Sequence, residues 1–168
     1  MPVYSEVFSD EEIINLIGDK YQNILVVGCG SCMNESLAYL HDSPIFVKGI
    51  DSENIPHSVL IEIQRITNLL NKKGYHADYL ALPSHSNTLC QINCDEKIYP
   101  LSMDINTEII LAVCCPAGVS GLKVTVTGVK ILKITKQEGF LAYRFTDDPN
   151  GVRRMVKEHS KAIKYSID

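Results

Sequence analysis

The stretch Ile24-Leu25-Val26-Val27-Gly28-Cys29-Gly30-Ser31-Cys32 constrains this chain more than any other. A continuous apolar run closed by glycine predicts a buried strand. The run ends in Cys-x-x-Cys, so both sulfurs are expected in the turn just past the strand. Two thiolates three positions apart across a tight turn can bind one metal atom, or two neighbouring atoms of a cluster. Four more cysteines follow, at Cys90, Cys94, Cys114 and Cys115. The expectation is that these later thiols return to the place where the first pair sits.

At 168 residues, the chain suits one α/β domain spanning 1–168, and 45% hydrophobic residues suffice for a core. A formal net charge of −4, with basic residues scattered along the chain, argues against nucleic acid or an anionic membrane as partner. No apolar run approaches the roughly 20 residues of a membrane span. Met1-Pro2-Val3-Tyr4-Ser5-Glu6 lacks the basic flank and apolar centre of a signal peptide. These features imply a cytoplasmic protein. Thiols stay reduced there, so six cysteines read as metal, cluster or redox ligands before they read as disulfides.

Ser9-Asp10-Glu11-Glu12 is a capping box, and Ile13, Ile14, Leu16 and Ile17 give the helix after it an apolar face that Gly18 can end. Strands are expected over 23–27, 45–47, 77–82, 109–113, 129–134 and 140–145. A short helix is expected over 33–40, and a longer one over 57–73, where Val59, Leu60, Ile63, Ile66, Leu69 and Leu70 recur at helical spacing before Gly74. Pro116 suits the first turn of another helix. A last helix is expected over 152–165, with Val152, Met155, Val156 and Ile163 on one face. Strands alternating with helices imply a three-layer, mostly parallel, Rossmann-like sheet with helices on both faces. Ligands bind such sheets outside the carboxyl ends of the strands. The cysteines follow the first strand, the 77–82 strand and the 109–113 strand, so parallel strands would bring all six thiols to one edge.

Four thiolates hold either a [4Fe–4S] cluster or a tetrahedral zinc. Cys114 and Cys94 can equally serve as small buried hydrophobes. Cys29 and Cys32 can also be read as a thiol–disulfide redox pair, or the whole set as a zinc-stabilised interaction module; the redox reading leaves four cysteines unexplained. Gly28-Cys29-Gly30 opens a dinucleotide fingerprint with Asp51 downstream, but Met33 stands where the third glycine belongs. Among the histidines only His85 falls in a site loop, as a solvated residue or as a ligand or sulfur hydrogen-bond donor. Glu35, beside the Cys-x-x-Cys, is expected to be exposed. No residues form a complete set of acid, base and nucleophile.

Val26-Val27-Gly28-Cys29-Gly30-Ser31-Cys32 resembles the Val-Gly-Cys-Gly-Thr-Cys opening of the methylenetetrahydrofolate reductase C-terminal domain family, also called MetV-like. The likeness runs on through Asn71-Lys72-Lys73-Gly74, the strand at 77–82, Cys90, and Leu111-Ala112-Val113-Cys114-Cys115-Pro116-Ala117-Gly118-Val119, and covers about residues 20 to 135. The resemblance implies Cys29, Cys32, Cys90 and Cys115 as metal ligands. The family's third cysteine, four residues after Cys32, is Ser36 here, and Cys94 is the reserve ligand. Gly28, Gly30 and Gly118 are the implied sources of backbone amides to a cluster. The implied role is an accessory electron-transfer subunit in tetrahydrofolate-linked one-carbon metabolism. Its implied partner is a flavin-containing methylenetetrahydrofolate reductase-like subunit, and a homo-oligomer is also admissible.

Overall fold

The structure, a computed structural model, describes residues 1–49, 53–81, 88–90 and 106–166. In chain order its elements are β1 (Val3–Val7), α1 (Asp10–Ile17), β2 (Asn23–Gly28), α2 (Cys32–His41), β3 (Phe46–Lys48), β4 (Asn54–Pro56), α3 (His57–Lys72) and β5 (His76–Ala81). After these come β6 (Ile109–Val113), α4 (Pro116–Thr125), β7 (Lys130–Lys133), β8 (Thr135–Ala142), β9 (Phe145–Asp147), β10 (Arg153–Met155) and β11 (Lys161–Lys164), with a 3-10 turn at Lys157–His159 between the last two.

β2 is the centre of a four-stranded parallel sheet ordered β5-β2-β6-β7. Ile24 pairs with Ala77 on one side and Ile109 on the other; Gly28 pairs with Ala81 and Val113. Ile24 to Val27 and Ile109 to Val113 are all fully buried, which explains their unbroken apolar runs. Each Ile, Leu or Val among them contributes roughly 1.5–3 kcal/mol by leaving water. α3 crosses β2 so closely that a Cβ at Gly28 would lie 2.7 Å from Val59 Cγ2 and 2.9 Å from Ile63 Cγ2. Gly28 is therefore required by packing.

The capping box of α1 forms as read. Ser9 Oγ accepts from the Glu12 amide at 3.2 Å, and the Glu12 carboxylate accepts from the Ser9 amide at 2.8 Å. α3 has Pro56 at its cap, which offers no side-chain acceptor. Fully buried Asn34, from α2, supplies one instead: its Oδ1 accepts from the Val59 amide at 2.9 Å, and its Nδ2 donates to the Ile45 carbonyl at 2.7 Å.

Beyond the parallel sheet the architecture departs from the Rossmann-like expectation. Two antiparallel sheets stand beside it, one ordered β1-β8-β11 and the other β4-β3-β10-β9. Among the described residues the fold is a mixed α/β arrangement of three sheets, one parallel and two antiparallel, and not a mostly parallel three-layer sandwich. The helix expected over 152–165 is absent; β10, the 3-10 turn and β11 occupy that stretch. Asp148 Oδ1 accepts from the amides of Asn150 and Val152 at 2.8 and 2.9 Å, and Gly151 turns the chain at φ 77°. The chain therefore folds back as a hairpin, with Arg153 opposite Asp147, and β11 then pairs with β8, Lys161 opposite Ala142. Paired backbones outweigh the helical spacing of four half-exposed apolar residues. The strand expected over 140–145 is likewise divided, its first part ending β8 and its last residue opening β9. β1 lies against α2, where the Ser36 hydroxyl accepts from the Ser5 amide at 3.1 Å and stands 2.8 Å from the Cys32 carbonyl.

Candidate metal centre

The order of the parallel sheet creates a switch point. From β2 the chain passes through α3 to β5 on one side, then crosses to β6 on the other. The crevice between β2 and β6, beyond their carboxyl ends, is where sheets of this kind take ligands. The Cys29 amide donates to the Val113 carbonyl at 3.1 Å, extending the pairing one step past both strands. α2 then starts at Cys32, and α4 starts directly after Cys115, with Pro116 in its first turn. Cys32 and Cys115 thus stand at the positive ends of two helices that open at one edge.

A third segment, 88–90, reaches the same place. Leu89 is fully buried, and its amide donates to the Cys29 sulfur. A Cβ at Gly121 would lie 1.8 Å from the Leu89 carbonyl oxygen, so the segment rests directly on the α4 backbone. Cys90 beside it is exposed, with Thr88 Oγ1 3.3 Å from its sulfur.

The sulfur environments separate the cysteines. The Cys32 thiol donates to the Cys115 sulfur, and the amides of Gly118, Ala117 and Cys115 also point to that sulfur. Together they lower the Cys115 thiol to about 6, the Cys32 hydrogen bond contributing most. Giving that hydrogen bond raises the Cys32 thiol, and burial adds to the rise; the Val3 amide, from β1, opposes it. Burial pushes Cys29 up to about 11 against the amides of Ser31 and Leu89. Cys114 is different. Burial, then the neighbouring Cys29 and Cys115 sulfurs, raise its thiol, with no amide among these leading influences. It belongs to the apolar core, and a Cβ at Gly118 would lie 2.9 Å from its sulfur. Backbone amides face the Cys29, Cys32 and Cys115 sulfurs, but of these three only Cys115 is lowered; Cys114 packs.

Of the glycines named from the sequence, Gly118 supplies an amide to a sulfur, whereas Gly30 is buried in the turn and its neighbour Ser31 supplies the amide to Cys29. Cys94, His85 and Asp51 lie outside the described residues. Glu35 is not the exposed residue expected. It is half-buried, Tyr143 Oη donates to its Oε1 at 2.6 Å, and burial raises its carboxyl pKa, with the Tyr143 hydrogen bond acting against that rise. Tyr143, Val3 and Leu89 went unread. Tyr143 is 108 positions from Glu35 and Val3 belongs to a strand with no clear pattern, but a leucine beside a loop cysteine is a legible anchor.

Cysteine sulfurs are the donor type that a four-thiolate zinc or cluster takes. Cys29, Cys32 and Cys115 stand at the switch edge, the Leu89 anchor brings Cys90 beside them, and amides already face three of the four sulfurs. Among the described residues no three His, Cys, Asp or Glu side chains are arranged to hold a single metal ion. No helix among the described residues is long and apolar enough to cross a membrane. In comparison with known proteins, no family model, no curated protein and no solved structure matches the chain.

Proposed function

We propose that this chain is a small iron–sulfur protein in which Cys29, Cys32, Cys90 and Cys115 hold a [4Fe–4S] cluster. In this reading it serves as an accessory electron-transfer module beside a flavin-containing, methylenetetrahydrofolate reductase-like subunit in tetrahydrofolate-linked one-carbon metabolism. The observation that supports the metal reading most is the convergence of three sequence-distant cysteine segments at the β2/β6 switch point, with backbone amides facing the sulfurs. The one-carbon role rests on the motif resemblance alone.

When bound, such a cluster supplies a one-electron relay. The chain's own part is to hold and tune it. The amides of Ser31, Leu89, Val3, Ala117 and Gly118 offset negative charge on the sulfurs, and the starts of α2 and α4 add their dipoles. Buried Cys29 and Cys115 keep water from one side of the site, while exposed Cys90 leaves the other open to a partner. The same thiolates suit zinc, which would keep the structure and remove the relay.

The test is the iron, zinc and sulfide content of protein purified without oxygen, with its visible spectrum before and after dithionite. About four irons and a bleachable broad band are expected. One zinc without colour would remove the electron-transfer role, and the absence of both metals would overturn the metal reading.

A further inference from the structure

Two edge strands of this fold are closed by side chains. Along β1 the Ser36 hydroxyl accepts from the Ser5 amide at 3.1 Å and lies 3.2 Å from the Val3 carbonyl oxygen. Along β5 the Asn71 side chain bonds both backbone groups of Ala77, at 2.9 and 3.1 Å, and Asp78 Oδ1 accepts from the Tyr79 amide at 2.8 Å. Such blocking keeps an edge from pairing with another chain. β11, at the other edge of the sheet β1-β8-β11, has no block of this kind among the described residues. The Tyr165 amide donates inward to the Glu138 carbonyl at 2.9 Å. By alternation Lys161, Ile163 and Tyr165 bond to β8, while the amides and carbonyls of Ala162 and Lys164 point outward.

The open edge borders an exposed apolar row. Phe140 stands opposite Ile163, and its ring meets that of Tyr165 edge-on, with centroids 5.5 Å apart. Phe140, Ile163 and Tyr165 are 38, 44 and 46% exposed. An unblocked edge beside such a row is a place for one more strand.

We propose that this strand is β11 of a second copy of the chain, paired antiparallel about a two-fold axis that joins two three-stranded sheets into one. The choice of occupant rests on the strand's self-complementarity. In the register that sets Ile163 opposite its own copy, Ala162 exchanges both backbone bonds with the partner's Lys164. Lys161 then lies opposite the partner's Tyr165 on the apolar face, where an ammonium is attracted to the ring. No lysine faces a lysine. Lysine on an edge ordinarily discourages pairing, but Lys164 is already paired with Glu6 at 3.2 Å. Sliding the copy two residues one way sets Lys164 against itself. Sliding it two the other way sets Ile163 against the partner's Lys161 and carries Tyr165 past the partner's strand. The joined sheet ends on β1 at both sides, and Ser36 closes that edge, so assembly stops at two copies. The contact uses no cysteine and stands apart from the metal reading.

The experiment is sedimentation equilibrium of the full chain in reductant, over a wide range of concentration. The wild type is expected to rise from one chain, 18.7 kDa, towards twice that mass. Ala162→Pro removes an outward N–H without touching a bond to β8, the kind of position where an edge strand takes proline. Ile163→Lys alters an exposed side chain and sets like charges together at the axis. Both variants are expected to stay at one chain. Far-ultraviolet circular dichroism shows whether each keeps the fold, and Ile163→Lys decides if Ala162→Pro does not. A wild type that remains at one chain throughout would overturn the proposal and leave the edge to a strand of a different protein. Dimers that survive Ile163→Lys would overturn it by placing the contact on another surface.

Discussion

The Leu89 carbonyl oxygen lies over Gly121 with no room for a side chain: a Cβ there would be 1.8 Å away. The contact fixes a cysteine-bearing segment to a helix whose own start presents another cysteine. Gly121→Ala forces the 88–90 segment off α4 and is expected to destabilise the fold by roughly 1–3 kcal/mol, the usual range for an overpacked core. Its sharper effect falls on the site. Cys90 and the Leu89 amide both move away from Cys29, so metal content is expected to fall while far-ultraviolet circular dichroism keeps its shape. Full metal occupancy in the variant would remove Cys90 from the ligand set.

Asn34 stands in for a cap that Pro56 lacks, bonding to Val59 and Ile45 at once. Asn34→Leu leaves the buried Val59 amide without its partner, while the Ile45 carbonyl keeps the His57 amide at 3.0 Å. The expected loss is about 1–3 kcal/mol in urea unfolding, the usual cost of one orphaned buried group. A loss within error of zero would mean that the α3 amide finds another acceptor.

The acid–base behaviour of Glu35 gives a prediction with a definite sign. Burial raises its carboxyl above the ordinary value, with the Tyr143 hydrogen bond acting in the opposite direction. Below the ordinary carboxylate range both folded and unfolded chains hold the proton, and its contribution to stability is complete. As pH rises the unfolded chain releases the proton first, so stability falls until the folded carboxyl ionises too. Glu35→Gln is therefore expected to gain on the wild type between acid and neutral pH. Tyr143→Phe should carry the wild-type decline to higher pH. Urea midpoints measured across that window check both, and parallel curves for Glu35→Gln and the wild type would contradict the assignment.

In metal-free protein the thiols should titrate in a wide spread. Cys115, near 6, labels with iodoacetamide at neutral pH, whereas Cys29, pushed to about 11, labels only in strong alkali. Cys32→Ala removes the largest cause of the low value and is expected to move the Cys115 profile to higher pH. An unmoved profile would leave the α4 amides as the sole cause.

What could be read from the sequence was what short-range chemistry decides. The box at Ser9 and Glu12, the spacing from Val59 to Leu70 and the apolar runs of β2 and β6 carry their own instructions. The return of Cys115 to the edge of Cys29 was legible for the same reason, because parallel strands put their following loops on one side. What escaped depends on distant partners. β1 has a bulge between Tyr4 and Ser5 that hides its alternation, and its pairing strand begins at Thr135. Val152, Met155 and Val156 mimic a helical stripe but lie half-buried in and around a hairpin strand. At the site, sequence could not separate Cys114 from Cys115. One step of rotation at the entry to α4 sends the first sulfur into the core and the second towards Cys32.

The Val3 amide that reaches the Cys32 sulfur belongs to a strand held by β8, which in turn is held by β11. During synthesis the described cysteines of the candidate centre emerge from the ribosome ahead of β8, so the early strand waits without its neighbour. The thiols can meet in the nascent chain, but the amide that completes their surroundings is secured only when the late strands arrive. The surroundings of the Cys32 sulfur thereby depend on the arrival of β8 and β11, and a product stalled or clipped ahead of them would lack the strand that holds the Val3 amide in place.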